Sequence, residues 1–259
     1  MREEERFTEY VRHYNPEDPL IRLKIIHTWK VVEAADAIAA SLDLTQREKE
    51  LVHLAALFHD IGRFEQARRF HTFIDAQSIS HARLGAEILE QEDFLEDLEP
   101  RERDQVIKAV RVHSDYRIPD EDQGFQRILD AIIRDADKID IFRCAVTENP
   151  DVMSCQSQAG IAQESISPEV AQAILSGQSV KRTDRHTALD YWVSYLGFIF
   201  DLNTEKAKEL ILEAGYWDQK LESLLDQNVL ENPETRKTLQ QLLDHTRRTL
   251  ESTEETAQK

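Results

Sequence analysis

The sequence is poor in residues that interrupt helices, with 7 glycines and 7 prolines in 259 positions. It is poorer still in cysteine. Cys144 and Cys155 form no CxxC pair, which excludes a disulfide framework and a thiolate zinc cluster. No apolar run reaches the roughly 20 residues that a membrane-spanning helix needs. The opening Met1-Arg2-Glu3-Glu4-Glu5-Arg6 has no apolar core of a secretory signal, so a cytoplasmic protein without a membrane partner is expected. Basic residues are also short, 32 against 50 acidic ones, giving a net charge of -18. Such a field repels phosphate backbones and speaks against a nucleic-acid polymer as partner. It leaves room for a small phosphate-containing substrate, because a bound metal ion attracts one locally. P-loop, GxGxxG, HExxH and zinc-finger spacings are all missing.

What is present favours helix: Ala, Leu, Glu, Gln, Lys and Arg dominate, and apolar residues recur at helical spacing. The pattern predicts an all-α protein. A first helix is expected from about Pro19 to Leu42, with Leu20, Leu23, His27, Val31, Ala35 and Ile38 on one face. A second opens at the capping box Thr45-Gln46-Arg47-Glu48 and is expected to stop at Gly62. Residues 63–79 read as a loop or broken helix. Further helices are expected from near Ser80, over Pro100–His113 and over Phe125–Ala145. The polar stretch 148–163 reads as a linker, which divides the chain into a domain over 1–147 and a helical extension over 148–259, packed on the same core. In the extension, Ser167-Pro168 and Asn232-Pro233 read as N-cap and first-turn pairs. The apolar stretch from Tyr191 to Leu202 is expected to dock on the rest, and the tail after Arg247 to fray.

Five helices place ionisable residues in line with their apolar stripes: His27, the pair His59-Asp60, His81, His113 and Asp137. A single histidine on such a face is usually a hydrogen-bonded core residue. Several imidazoles and two carboxylates are costly to bury together without partners, and a divalent cation supplies one to all of them. Imidazole and carboxylate suit iron, manganese, nickel or zinc.

Phe58-His59-Asp60-Ile61-Gly62-Arg63 resembles the His-Asp signature of the HD superfamily, with His27 one helix earlier and Arg134-Asp135-Ala136-Asp137-Lys138-Ile139-Asp140 resembling its closing Asp motif. The resemblance spans roughly residues 20 to 145 and implies an HD-domain helical bundle with appended C-terminal helices. Residues His81 to Leu89 resemble the histidine-bearing helix of the HD-GYP phosphodiesterases, and Val112-His113 falls where that subfamily has paired histidines. Ser114 stands in place of the second of these, and Arg117-Ile118-Pro119 replaces the Gly-Tyr-Pro signature, so cyclic dinucleotide hydrolysis is not assigned.

The resemblance implies a metal-dependent phosphohydrolase, phosphatase or phosphodiesterase, with one or two divalent ions (Mn, Fe, Ni, Mg or Zn). His27, His59 and Asp137 would hold one ion, His81 and His113 a second, and Asp60 would bridge. A metal-activated water would then attack phosphorus in line. Arg63 would grip phosphate bidentately, or else cap a helix end. Asp140 would orient a water or a ligand histidine, or pair with Arg143 on the helix surface. The stretch Arg68 to Asp75, with Arg69 and His71 as substrate contacts, reads as a flap or a solvated loop. His13, His53, His186 and His245 are expected to be structural or exposed, and Lys181-Arg182 near Arg185 to be solvated or a small anion patch. Two other readings stay open. One is a di-iron oxygenase acting on an organophosphonate or polyol with the same ligands. The other is a non-catalytic nucleotide-binding module.

Overall fold

The computed structural model describes residues 3–155, 157–226 and 229–257, without the side chains of 252–257. Every regular element among these residues is helical. No described helix is long and apolar enough to cross a membrane. The chain forms two compact units, Met1–Ile141 and Phe142–Lys259.

The first unit begins with α1 (Glu3–Val11), which periodicity did not reveal. Only Phe7 and Val11 of its residues are buried, so its apolar stripe is too short to register. Phe7 nevertheless lies against Trp29, Phe58 and Phe64, with ring centroids 5.9–6.2 Å apart. Next come α2 (Pro19–Ala40), capped by Asp18, and α3 (Gln46–Phe58), opened by the expected capping box at Thr45 and Glu48.

The chain does not stop at Gly62. It turns at His59-Asp60 and re-enters helix as α4 (Ile61–Phe70), correcting the irregular segment expected there. Ile61, Phe64 and Ala67 give α4 a buried stripe, and its charged partners Glu65, Arg68 and Arg69 satisfy one another. A left-handed His71 ends it. The strap over residues 71–80, with one 3-10 turn at Asp75–Gln77, leads to α5 (His81–Gln91).

Gly62 has a different purpose from a helix stop: a Cβ there would meet the His81 carbonyl oxygen at 2.2 Å and the Gly85 nitrogen at 2.6 Å. Glycine therefore lets α4 and α5 touch backbone to backbone. Then follow α6 (Pro100–Val112) and α7 (Gly124–Thr147), the latter crossing the division between units. Within the first unit α2 packs on α3, α3 on α6, and α5 on both α4 and α6. The guanidinium of Arg134 on α7 donates to the carbonyls of His113, Asp115 and Tyr116, which ties α7 to the end of α6.

The second unit contains α8 (Pro150–Ser154), inside the stretch expected to be a linker, then α9 (Pro168–Leu175), α10 (Ala188–Val193), α11 (Glu205–Ala214), α12 (Gln219–Asp226) and α13 (Pro233–Ala257). Pro168 takes its expected first-turn place, but Ser167 does not cap with its hydroxyl, which donates instead to Asp190 at 2.7 Å. Fully buried Asp190 also accepts the backbone N–H groups of Ser167, His186 and Thr187. The apolar stretch from Tyr191 divides between α10 and a 3-10 helix (Ser194–Asp201), which packs on α9 and α13. Helix α13 continues past Arg247 to Ala257; Gln258 and Lys259 lie outside the described residues.

Candidate metal centre

The six residues that periodicity aligned come together inside the first unit. His27 Nε2 is 3.3 Å from His59 Nε2 and 3.1 Å from Asp137 Oδ1. His81 Nε2 is 3.2 Å from His113 Nε2. Asp60 lies between the two groups. Its Oδ2 is 3.5 Å from His27 and 3.6 Å from His59, while its Oδ1 is 3.5 Å from His81 and 3.8 Å from His113. His27, His59, Asp60, His81 and His113 are buried, and Asp137 is partly open at 19% exposure.

The turns explain the placement. His59 and His113 directly follow the last residues of α3 and α6, and each directs its ring Nδ1 at the carbonyl three residues back, Ala56 and Val110, at 2.7 Å. A carbonyl can only accept, so Nδ1 carries the proton and Nε2 is left with a lone pair. His81 Nδ1 lies 2.9 Å from both carboxylate oxygens of Asp75, and His27 Nδ1 lies 2.7 Å from Asp140 Oδ2. Asp140 thus orients the His27 ring.

Burial pushes the His59 ring down to about 4 and the His81 ring down to about 3, where the Arg63 charge adds to it. Burial also lowers His113. These three rings are neutral at physiological pH. Burial raises the Asp60 carboxyl, but Lys24, His59 and Arg63 outweigh it and hold the group well below the usual carboxylate range. Burial acts the same way at Asp137, where the His27 ring prevails and the carboxyl is lowered.

The second group now poses a chemical problem. With the proton of each neutral ring on Nδ1, His81 Nε2, His113 Nε2 and Asp60 Oδ1 are all acceptors. A divalent cation resolves that repulsion. The donor atoms of His27, His59 and Asp60, and those of Asp60, His81 and His113, lie close enough to share an ion, with each set within 4.8 Å. The residues of each set therefore fit a divalent cation.

Not every expected site residue joins this cluster. Arg69 is held by Glu65, and His71 is exposed at the end of α4; neither is hydrogen-bonded or ion-paired to the six clustered residues. Arg63 lies in the first turn of α4, so it caps no helix C-terminus. Its Nη1 donates to the Phe73 carbonyl at 2.7 Å, Gln66 Oε1 at 2.8 Å and Asp75 Oδ1 at 3.1 Å. Two participants escaped the sequence pattern. Lys24 Nζ is 2.6 Å from Asp60 Oδ2, and Asp75 supports His81. Lys24 does precede His27 by three residues, which places it on the same helical face. That spacing alone does not distinguish it from any solvated lysine.

An all-helical unit whose successive helices deliver His, His-Asp, His, His and Asp to one point defines a class of metal-binding hydrolase-type domains. Residues 25–141 match the HD domain family, so this segment is similar to HD domains. No curated protein and no solved structure matches the chain.

Proposed function

We propose that this protein is a two-metal phosphohydrolase acting on a small phosphate ester. The observation that carries the reading is the pair of ring nitrogens, His81 Nε2 and His113 Nε2, facing each other at 3.2 Å beside Asp60 Oδ1. A mononuclear centre on His27, His59, Asp60 and Asp137 gives these two rings nothing to bind.

His27, His59, Asp60 and Asp137 would hold one ion, and Asp60, His81 and His113 the other. Divalent ions there would supply a water acidic enough to act as hydroxide near neutral pH and positive charge for the phosphate oxygens. Around this centre the protein provides cations of its own. Lys24 and Arg63 both flank Asp60, and both lie over the Phe73 ring, 5.2 and 5.3 Å from its centroid. The Arg63 Nε is buried, 3.5 Å from Asp60 Oδ1, and has no hydrogen-bond partner. That unpartnered N–H keeps guanidinium charge beside Asp60, while Nη1 is committed to the strap. Local cations set against a net charge of -18 favour a small anion over a polymer.

The test is metal analysis of protein purified without chelator, followed by phosphomonoester and phosphodiester substrates assayed with manganese and with iron, in air and anaerobically. Two ions per chain and oxygen-independent hydrolysis are expected. Turnover that requires oxygen would assign the same ligands to an oxygenase, and a single bound ion at saturation would remove the two-metal centre.

A further inference from the structure

Of the four converging imidazoles, two are oriented by main-chain carbonyls of their own helices and one by Asp140 on α7. The fourth, His81, takes its Nδ1 partner from the strap. Asp75 is set in the 3-10 turn, six residues ahead of His81, and presents both carboxylate oxygens at 2.9 Å. The same carboxylate accepts from Arg63 Nη1 at 3.1 Å and from Gln66 Nε2 at 2.9 Å. Gln66 is fully buried, and its Nε2 also donates to Ser78 Oγ and to the Ile79 carbonyl, each at 2.9 Å. Arg63 and Gln66 of α4 therefore grip both limbs of the strap, and the strap's carboxylate holds the first residue of α5.

We propose that Asp75 is a positioning residue for the second metal ion, and that the strap over residues 71–80 is thereby part of that ion's binding site. The role rests on the two-metal reading above. Accepting the Nδ1 proton keeps His81 in the tautomer whose Nε2 lone pair faces His113 and Asp60. The negative charge behind the ring makes that lone pair a stronger donor, as carboxylate partners of ligand histidines do elsewhere. Arg63, three residues after Asp60, holds Asp75 from the other side, so the bridging ligand and the strap are registered to each other.

The experiment is a manganese titration by calorimetry of the full-length wild type, Asp75→Ala, Asp75→Asn and Asp140→Asn, with thermal melts of each. The wild type should bind two equivalents. Asp75→Ala should weaken the second equivalent by about 10–100-fold, the usual cost of losing such a partner, and leave the first unchanged. Asp75→Asn keeps an acceptor oxygen without the charge and should fall between them; it also carries the test if the alanine variant does not fold. Asp140→Asn should weaken the first equivalent instead. An unchanged second equivalent in the Asp75 variants would overturn the role, and so would equal weakening of both, which marks general loosening. A wild type that binds one ion overturns the two-metal reading itself, a result separate from either of these.

Discussion

Replacing Gly62 by alanine tests the link between helix packing and the metal centre. The added Cβ would lie 2.2 Å from the His81 carbonyl oxygen and 2.6 Å from the Gly85 nitrogen, both backbone atoms that cannot rotate away. Real Cβ contacts do not fall below 3.0 Å, so α4 and α5 must separate by at least the 0.8 Å between 2.2 and 3.0 Å. Overpacking of this kind costs about 1–3 kcal/mol. At about 2–4 °C per kcal/mol for a chain of this size, the melting temperature should fall by about 2–12 °C. The functional effect is sharper. His81 opens α5, and metal–ligand distances tolerate only about 0.2 Å. A shift several times larger should weaken the second manganese equivalent more than tenfold. His27, His59 and Asp137 are not on α5, and the first equivalent should persist. Scanning calorimetry and a manganese titration read the two effects separately. A Gly62→Ala protein with wild-type melting temperature and two intact equivalents would refute the packing argument.

Asp60→Ala should lose both ions and all hydrolysis while keeping its helical circular dichroism, because Asp60 sets one oxygen toward each histidine pair; turnover in a metal-replete sample contradicts this. The double variant His81→Ala/His113→Ala should retain one ion per chain by elemental analysis and lose most activity, since His27, His59, Asp60 and Asp137 remain. Away from the centre, burial raises fully buried Asp130 to about 7 beside Asp122. The folded state therefore takes up a proton that the unfolded chain releases near pH 4, and stability is lost as pH rises from about 4 to 7 at up to about 1.4 kcal/mol per pH unit. Asp130→Asn should flatten this slope and raise the melting temperature at pH 8 more than at pH 4.5. A denaturation series showing parallel pH profiles for the two proteins would dismiss it.

The ligand residues were legible because each interrupts an apolar stripe at helical spacing, a signal carried by its own neighbours. His27, His81 and Asp137 could be placed on faces before any packing was known. Helix α4 was hidden by composition: Gly62 resembles a stop, and Glu65, Arg68 and Arg69 resemble a solvated loop until they are seen to pair with one another. Lys24 and Asp75 were hidden for another reason. Their roles depend on Asp60, 36 residues from Lys24, and on a strap whose path follows no periodicity. Arg69 and His71 stood in a segment rich in polar groups, yet richness did not show direction. In the second unit, Ser167 stands where a local cap is expected, but its hydroxyl finds its acceptor in Asp190, 23 residues away.

The way the four rings are held has a consequence for how such a centre can change. His59 and His113 are fixed by peptide carbonyls, and no exchange of the residues at 56 and 110, short of altering the backbone, takes that acceptor away. His27 and His81 lean on side chains, Asp140 and Asp75, which a single replacement can neutralise or shorten. Under the two-metal reading each ion has one histidine of settled character and one whose donor strength is open to revision. The affinities of the two positions can then drift independently, one substitution at a time, while the bundle around them keeps its shape.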